Sequence, residues 1–394
     1  MNSREEFLRK EGESLQEKLV GYRRALHACP ELQMETPETE RRIVQFLRET
    51  GIDKIRSGVG GHGVTAMIRG SLPGKCLALR ADMDGLPIKE ETGLPFASTN
   101  GSMHACGHDF HMAVVLGAAE LLFRHRAELR GDVKLIFQPY EEGDGGAKRL
   151  IAEGVLRDPK VDAILGFHNG CHLDSGYRAG DVLVTPKPTS ANIFAFKATF
   201  SGNGGHVCLS RERVNPLYAA AEAVSAIRAL SLAHPDAIVA VTVCHAGVRN
   251  NVIPETCVIE GSLRSFDREE QAALEKEVRR IADEAGRNAG ADVRLDVTID
   301  VMSIKNDRAM YERFKEIAAS VYPESGTRLL DPVSFIGEDF ARYTEEIPGY
   351  HFFLCARPEG SPYPHHSPKF DVDESVLSKG SILMAAFALG WQEA

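Results

Sequence analysis

Four apolar runs in this chain stop abruptly at side chains that bind metals. LALR (77–80) leads to Asp82 and Asp84, LIFQPY (135–140) to Glu141 and Glu142, AILGF (163–167) to His168, and the stretch from Phe352 to Pro364 to His365 and His366. Short apolar runs bounded by turn signals read as buried strands. Helical patterns lie between them, notably MAVVLGAAELLFRHRAEL (112–129) and GGAKRLIAEGVL (145–156). Strand–helix alternation of this kind predicts an α/β sheet. In such sheets ligands bind beyond the carboxyl ends of the strands. Residues remote in sequence are therefore expected to meet on one rim.

A fifth segment, MHACGHDFHM (103–112), sits in a loop just before a helix and belongs to the same rim. Residues two apart do not share a helix face, so Gly107 between Cys106 and His108 predicts an irregular turn that aims both at one centre. A thiolate, imidazoles and carboxylates together suit Zn²⁺, Mn²⁺ or a similar divalent ion. His104 and His111 read as supporting or packing residues. Glu141 and Glu142 are adjacent on an extended segment and point in opposite directions. One can hold a metal while the other orients or deprotonates a water. Cys106, His108, Glu142, His168 and His366 supply enough donors for two divalent ions that share a bridging ligand.

The pattern changes style near Pro186–Pro188. ANIFAFKATFSGNGGH (191–206) alternates as a half-buried strand that runs into a Gly-rich turn. Helical and strand-like segments follow as far as VRLDVTIDVM (293–302). Two helices and about four strands between turn-marked borders predict an inserted α+β domain. GVGGHG (58–63) looks like a phosphate loop, but a strand follows it rather than a helix, so it reads as a tight turn. The formal net charge of −10 makes a nucleic-acid backbone or an anionic membrane surface a poor partner. The charged N-terminus lacks an apolar signal region, no run is long enough to cross a membrane, and the eight cysteines lack CxxC spacing. Free buried thiols in a reducing cytoplasm are the expectation for all but Cys106.

These stretches resemble the M20 metallopeptidases, in particular the branch of aminoacylases, hippurate hydrolases and auxin-conjugate amidohydrolases. The resemblance rests on RRALHACPEL, LALRADMDGLPIKEETGLPFAS, HACGHDFHMA, GDVKLIFQPYEEG, SGNGGH, VRNNVIPETCVIEGSLRSFD and HHSPKFDVDE, which follow one another through nearly the whole chain. It implies a zinc-peptidase-like catalytic domain over 1–186 and 302–394, with a mixed, mostly parallel sheet flanked by helices. It also implies a lid and dimerisation domain over 187–301, with a four-stranded sheet and two helices. Two divalent ions, Mn²⁺ or Zn²⁺ with Co²⁺ and Ni²⁺ as further options, would be held by Cys106, His108, Glu142, His168 and His366, the thiolate of Cys106 bridging. Glu141 matches the general base and Asp84 a carboxylate that orients the site. His206 would reach the active site of a partner subunit in a homodimer or tetramer, and Asn251 and Arg264 would bind the substrate's carboxylate end. The implied substrate is an N-acyl amino acid. A dipeptidase or carboxypeptidase-like enzyme, a hydrolase with Cys106 as nucleophile, and a non-catalytic metal-binding protein are the alternatives. Departures from the family pattern fall at Tyr140, where relatives commonly have Ala, at Asn169–His172 and at Val207–Arg211.

Overall fold

The computed structural model describes residues 3–143, 145–171, 176–331 and 334–392. They form two units, Met1–Thr189 with Ile304–Ser334 and Glu338–Ala394, and Ser190–Ser303 with Phe335–Gly337.

The larger unit is built on an eight-stranded sheet in the order Ile55–Val59, Gly63–Arg69, Asp132–Gln138, Leu77–Asp82, Ala163–Asn169, Gly349–Leu354, Val182–Val184, Arg328–Leu329. The four strands at its middle are parallel. Leu77–Asp82, Ala163–Asn169 and Gly349–Leu354 are buried at every residue, which is why they read as continuous apolar runs rather than alternating ones. Because these strands run the same way, Asp82, Gln138, Asn169 and Leu354 all finish at one rim.

The helix His108–Arg124 packs with Leu377–Gly390 and Gln16–His27. It is apolar nearly all round and buried almost throughout, as a core helix must be. Gly117 permits the close approach. A Cβ there would lie 2.3 Å from Ser381 Oγ and 2.8 Å from Leu19 Cδ2. The GVGGHG stretch is the turn between the antiparallel strands Ile55–Val59 and Gly63–Arg69, with Gly60 and Gly61 at positive φ. No helix among the described residues is long and apolar enough to cross a membrane.

The smaller unit has an antiparallel sheet ordered Asp292–Val301, Asn192–Ser201, Thr256–Ser265, Ile238–Ala246. Its helices Pro216–Ala233 and Arg268–Ala289 begin at Asn215 and Asp267, whose side chains accept from Leu217 N and Glu270 N. Side chains on one face of the sheet, among them Phe194, Phe196, Phe200, Ile259 and Leu263, make a separate core with Leu274 and Val278 of the second helix. A short pairing of Gly205–His206 with Val252–Ile253 stands apart from the four-stranded sheet. Strands of two residues carry no readable period, so this one is absent from the sequence reading.

Candidate metal centre

Gly107 sits at φ 85 and caps the helix that opens at His108. The helix therefore starts earlier than residue 112, and Cys106 and His108 lie on either side of the left-handed turn. Cys106 Sγ is 3.5 Å from His168 Nε2. His108 Nδ1 donates to Asp84 O at 2.8 Å, and His168 Nδ1 donates to Asn169 O at 2.8 Å. Both rings thus keep Nε2 for the centre, the usual arrangement for a metal-binding imidazole.

Glu141 and Glu142 leave the strand through Tyr140, which stands at φ 57. Left-handed backbone costs a non-glycine residue about 1–2 kcal/mol. Asp84 offsets part of that cost by accepting from Glu141 N at 3.0 Å and Glu142 N at 3.3 Å. His366, also left-handed at φ 64, donates its backbone N–H to Ala105 O at 2.9 Å. Its Nε2 lies 3.4 Å from Glu142 Oε1.

Five groups of donor atoms, each within 4.8 Å, lie among the described residues, and two of them take in all five expected ligands: Cys106 with His108 and His168, and Cys106 with Glu142 and His366. They share Cys106. His108 Nε2 and Glu142 Oε1 are buried, 3.9 Å apart, and have no hydrogen-bond partner among the described residues. Orphaned buried polar atoms are costly, and a divalent cation is the partner that this donor set fits. Burial, with Glu142, Glu141 and Asp82 nearby, pushes the Cys106 thiol well above its usual range. A thiol in that state is a poor nucleophile, and a cation that binds it must displace its proton.

Glu141 is largely enclosed, with 9% of its side chain exposed. That burial, with Glu338, Glu142, Asp339 and Asp82 around it, raises its carboxyl well above the ordinary carboxylate range. Below it lies a buried polar network. Arg80 donates to Asp82 Oδ2 at 2.8 Å, Asp339 Oδ1 at 2.8 Å and Gln138 Oε1 at 3.1 Å, and stands 3.1 Å from Glu338 Oε1. Gln138 donates to Asp339 Oδ1 and Oδ2, and Tyr343 Oη to Gln138 Oε1. Glu338, Asp339, Gln138 and Arg80 are not among the residues that the sequence pattern singles out. One signal was available: an arginine inside an apolar run is almost never buried unpaired.

The structure thus brings together Cys106, His108, Glu142, His168, His366, Glu141 and Asp84. His111 is buried behind them, bonded to Asp82 Oδ1 at 2.7 Å. His104 is buried, and its ring nitrogens have no hydrogen-bond partner among the described residues. His172 lies outside the described residues. In the smaller unit, exposed His206 and Asn251 lie together at the short two-stranded pairing, where Val207 N donates to Asn251 O at 3.0 Å. Arg264 is half-buried near the other end of Thr256–Ser265 and donates to Phe335 O at 2.6 Å.

Residues 78–390 match the model of peptidase family M20/M25/M40. The chain is 36% identical over 377 residues to an N-acetylcysteine deacetylase of Bacillus subtilis, covering 94% of this chain and 96% of the relative. It is 35% identical over 396 residues to thermostable carboxypeptidase 1 of Saccharolobus solfataricus, covering 98% of each. Its fold is similar to the crystal structure of the Bacillus subtilis YXEP protein, described as a dinuclear metal binding peptidase from the M20 family, with a TM-score of 0.80, 34% identity, and 95% of this chain and 98% of that one covered.

Proposed function

The chain belongs to peptidase family M20/M25/M40 and is a hydrolase of carbon–nitrogen bonds, and from that premise we propose that it cleaves the amide of N-acyl amino acids with two divalent ions and Glu141 as general base. The observation that carries the reading is the pair of donor groups sharing Cys106 beside the largely enclosed Glu141. Cys106, His108, Glu142, His168 and His366 would hold the ions. When bound, divalent ions of this kind acidify water and polarise carbonyl oxygens. Sulfur, nitrogen and oxygen donors together favour Mn²⁺ or Zn²⁺, with Co²⁺ and Ni²⁺ acceptable to the same set.

Glu141 takes the proton of the attacking water and later delivers it to the leaving amine, and its burial among carboxylates shifts it towards holding a proton, the direction the second duty needs. Asp84 fixes the backbone of the Glu141–Glu142 pair and the His108 ring, so the base and two ligands share one support. Arg264 would bind the substrate's carboxylate, and His206 would stabilise the oxyanion, a contribution worth about 2.7–4 kcal/mol per donor. His206 and Asn251 belong to the Thr256 end of the strand Thr256–Ser265, and Arg264 to the other end. At about 3.3 Å per residue the strand separates the two ends by roughly 26 Å. One small substrate does not span that distance, so a single site would draw the two ends from different copies of the chain.

The relative named as a carboxypeptidase favours a second reading, cleavage of a peptide rather than an acyl group. The test is amine release from N-acetyl amino acids and the matching dipeptides in the presence of Mn²⁺, comparing wild type with Glu141→Gln. Release from the acetylated series by wild type alone supports the proposal. Preference for dipeptides moves the chain to the second reading. Turnover that survives a chelator would point instead to Cys106 as nucleophile and sink both.

A further inference from the structure

Asn169 follows His168 directly, and its contacts use every hydrogen-bonding position of its amide. Nδ2 donates to Cys106 O at 2.7 Å and to His111 Nε2 at 3.0 Å. Oδ1 accepts from His365 Nε2 at 2.6 Å and from Cys171 N at 3.3 Å. The backbone N–H also reaches His111 Nε2 at 2.9 Å, and the backbone oxygen holds His168 Nδ1 at 2.8 Å. One set of protonation states is compatible with all of these, the backbone N–H and Nδ2 of Asn169 sharing the single lone pair of His111 Nε2. His111 donates from Nδ1 to Asp82, so its Nε2 is an acceptor. His365 donates from Nε2. An amide offers two donors and two acceptors, and here each is matched.

Three segments meet at this one side chain. They are the turn carrying Cys106 and His108, the strand end carrying His168, and the loop carrying His365 and His366. Gly107 makes the approach feasible, since a Cβ there would fall 2.4 Å from Asn169 Nδ2. Of the histidine pair, His366 faces Glu142 while His365 turns to Asn169. The doublet therefore divides into a ligand and a brace.

We propose that Asn169 is a positioning residue that locks the three ligand-bearing segments in one register and so sets the affinity of the centre for divalent cations. The proposal rests on the two-ion reading above. Aspartate has the same shape, but it loses both donors and sets a carboxylate against the Cys106 carbonyl and the lone pair of His111. Leucine loses all four bonds.

The test is a titration of metal-free protein with Co²⁺, read by d–d absorption and by the thiolate-to-cobalt band that reports on Cys106. Thermal unfolding of each metal-free form is measured in parallel. Residues that orient metal ligands typically contribute about 10–100-fold to affinity. Asn169→Asp and Asn169→Leu are expected to lose that much and to weaken the thiolate band. His365→Gln keeps a donor near the position of Nε2 and is expected to hold the wild-type affinity, while His365→Leu falls with the Asn169 variants. Wild-type affinity in Asn169→Asp, or equal losses in His365→Gln and His365→Leu, would overturn the clamp and leave the two-ion reading standing. A lower unfolding temperature with unchanged Co²⁺ affinity would overturn it as well, by reducing Asn169 to a packing residue. Wild type that binds no Co²⁺ would overturn both.

Discussion

Arg80 shows how much one side chain can impose on this site. It is fully buried in a central strand and answers three carboxylates, Asp82, Glu338 and Asp339. Removing one partner of a buried ion cluster leaves uncompensated charge and costs about 3–5 kcal/mol. Arg80→Met is expected to lose that much stability in chemical denaturation of the metal-free protein. Arg80→Lys should recover little of it, because one ammonium does not reproduce a fork that reaches separate acceptors. A variant within about 1 kcal/mol of wild type would show that the carboxylates neutralise one another by sharing protons. The donor side chains proposed to hold the ions are legible in the sequence, because His168, Glu142 and His366 each follow an apolar run that has to end at the rim. Asn169, Glu338 and Asp339 are not. Their partners lie far away in sequence, and a polar residue beside a ligand has no pattern of its own.

Among the elements, two glycines in helices separate backbone propensity from packing. Gly21 lies in Gln16–His27, where an added methyl group would meet nothing within 4 Å, whereas Gly117 lies in His108–Arg124 against Ser381 and Leu19. Alanine gains about 0.5–1 kcal/mol over glycine inside a helix, and an overpacked core loses about 1–3 kcal/mol. Gly21→Ala should therefore raise the unfolding temperature and Gly117→Ala should lower it. Two shifts of the same sign would show that one term governs both sites. The long elements could be read from sequence because their periods run for many residues, as in Arg268–Ala289 with its buried Leu274, Val278, Ile281 and Ala285. The start of His108–Arg124 could not. Its first turn is filled by His108, Asp109 and His111, which bond across the fold to Asp84, Arg23 and Asp82 and so hide the apolar pattern. The strands Val182–Val184 and Arg328–Leu329 are too short to show alternation at all.

At the scale of the whole molecule, the chain's start and end are tied to its centre through charge. His27 is buried against Asp109 at 2.9 Å and Glu90 at 3.1 Å, while Arg23 joins Asp109 to Asp371 and Glu374. Although burial opposes its charge, the Asp109 and Glu90 carboxylates and their hydrogen bonds lift His27 from 6.5 to about 9. A pKa raised on folding gives stability that is complete below the unfolded value and is lost as pH rises through the folded one. The metal-free protein should thus weaken from pH 6.5 to about 9, by on the order of 3 kcal/mol at about 1.4 kcal/mol per pH unit. His27→Gln should flatten that slope, and an unchanged slope would assign it to other groups. The last question of scale is whether one chain makes one site. Within a chain, the length of Thr256–Ser265 divides His206 and Asn251 from Arg264. If His206 serves the other copy, a chain with His206→Ala still offers a sound Glu141, and a chain with Glu141→Ala still offers a sound His206. Each mixed dimer then holds one complete site and one site lacking both groups. Equal random mixing makes half of the dimers mixed, so about a quarter of wild-type activity should return from two inactive parents. If His206 serves its own chain, no mixed dimer holds a complete site. Verified mixed dimers that stay inactive would therefore confine His206 to its own subunit or remove it from the reaction.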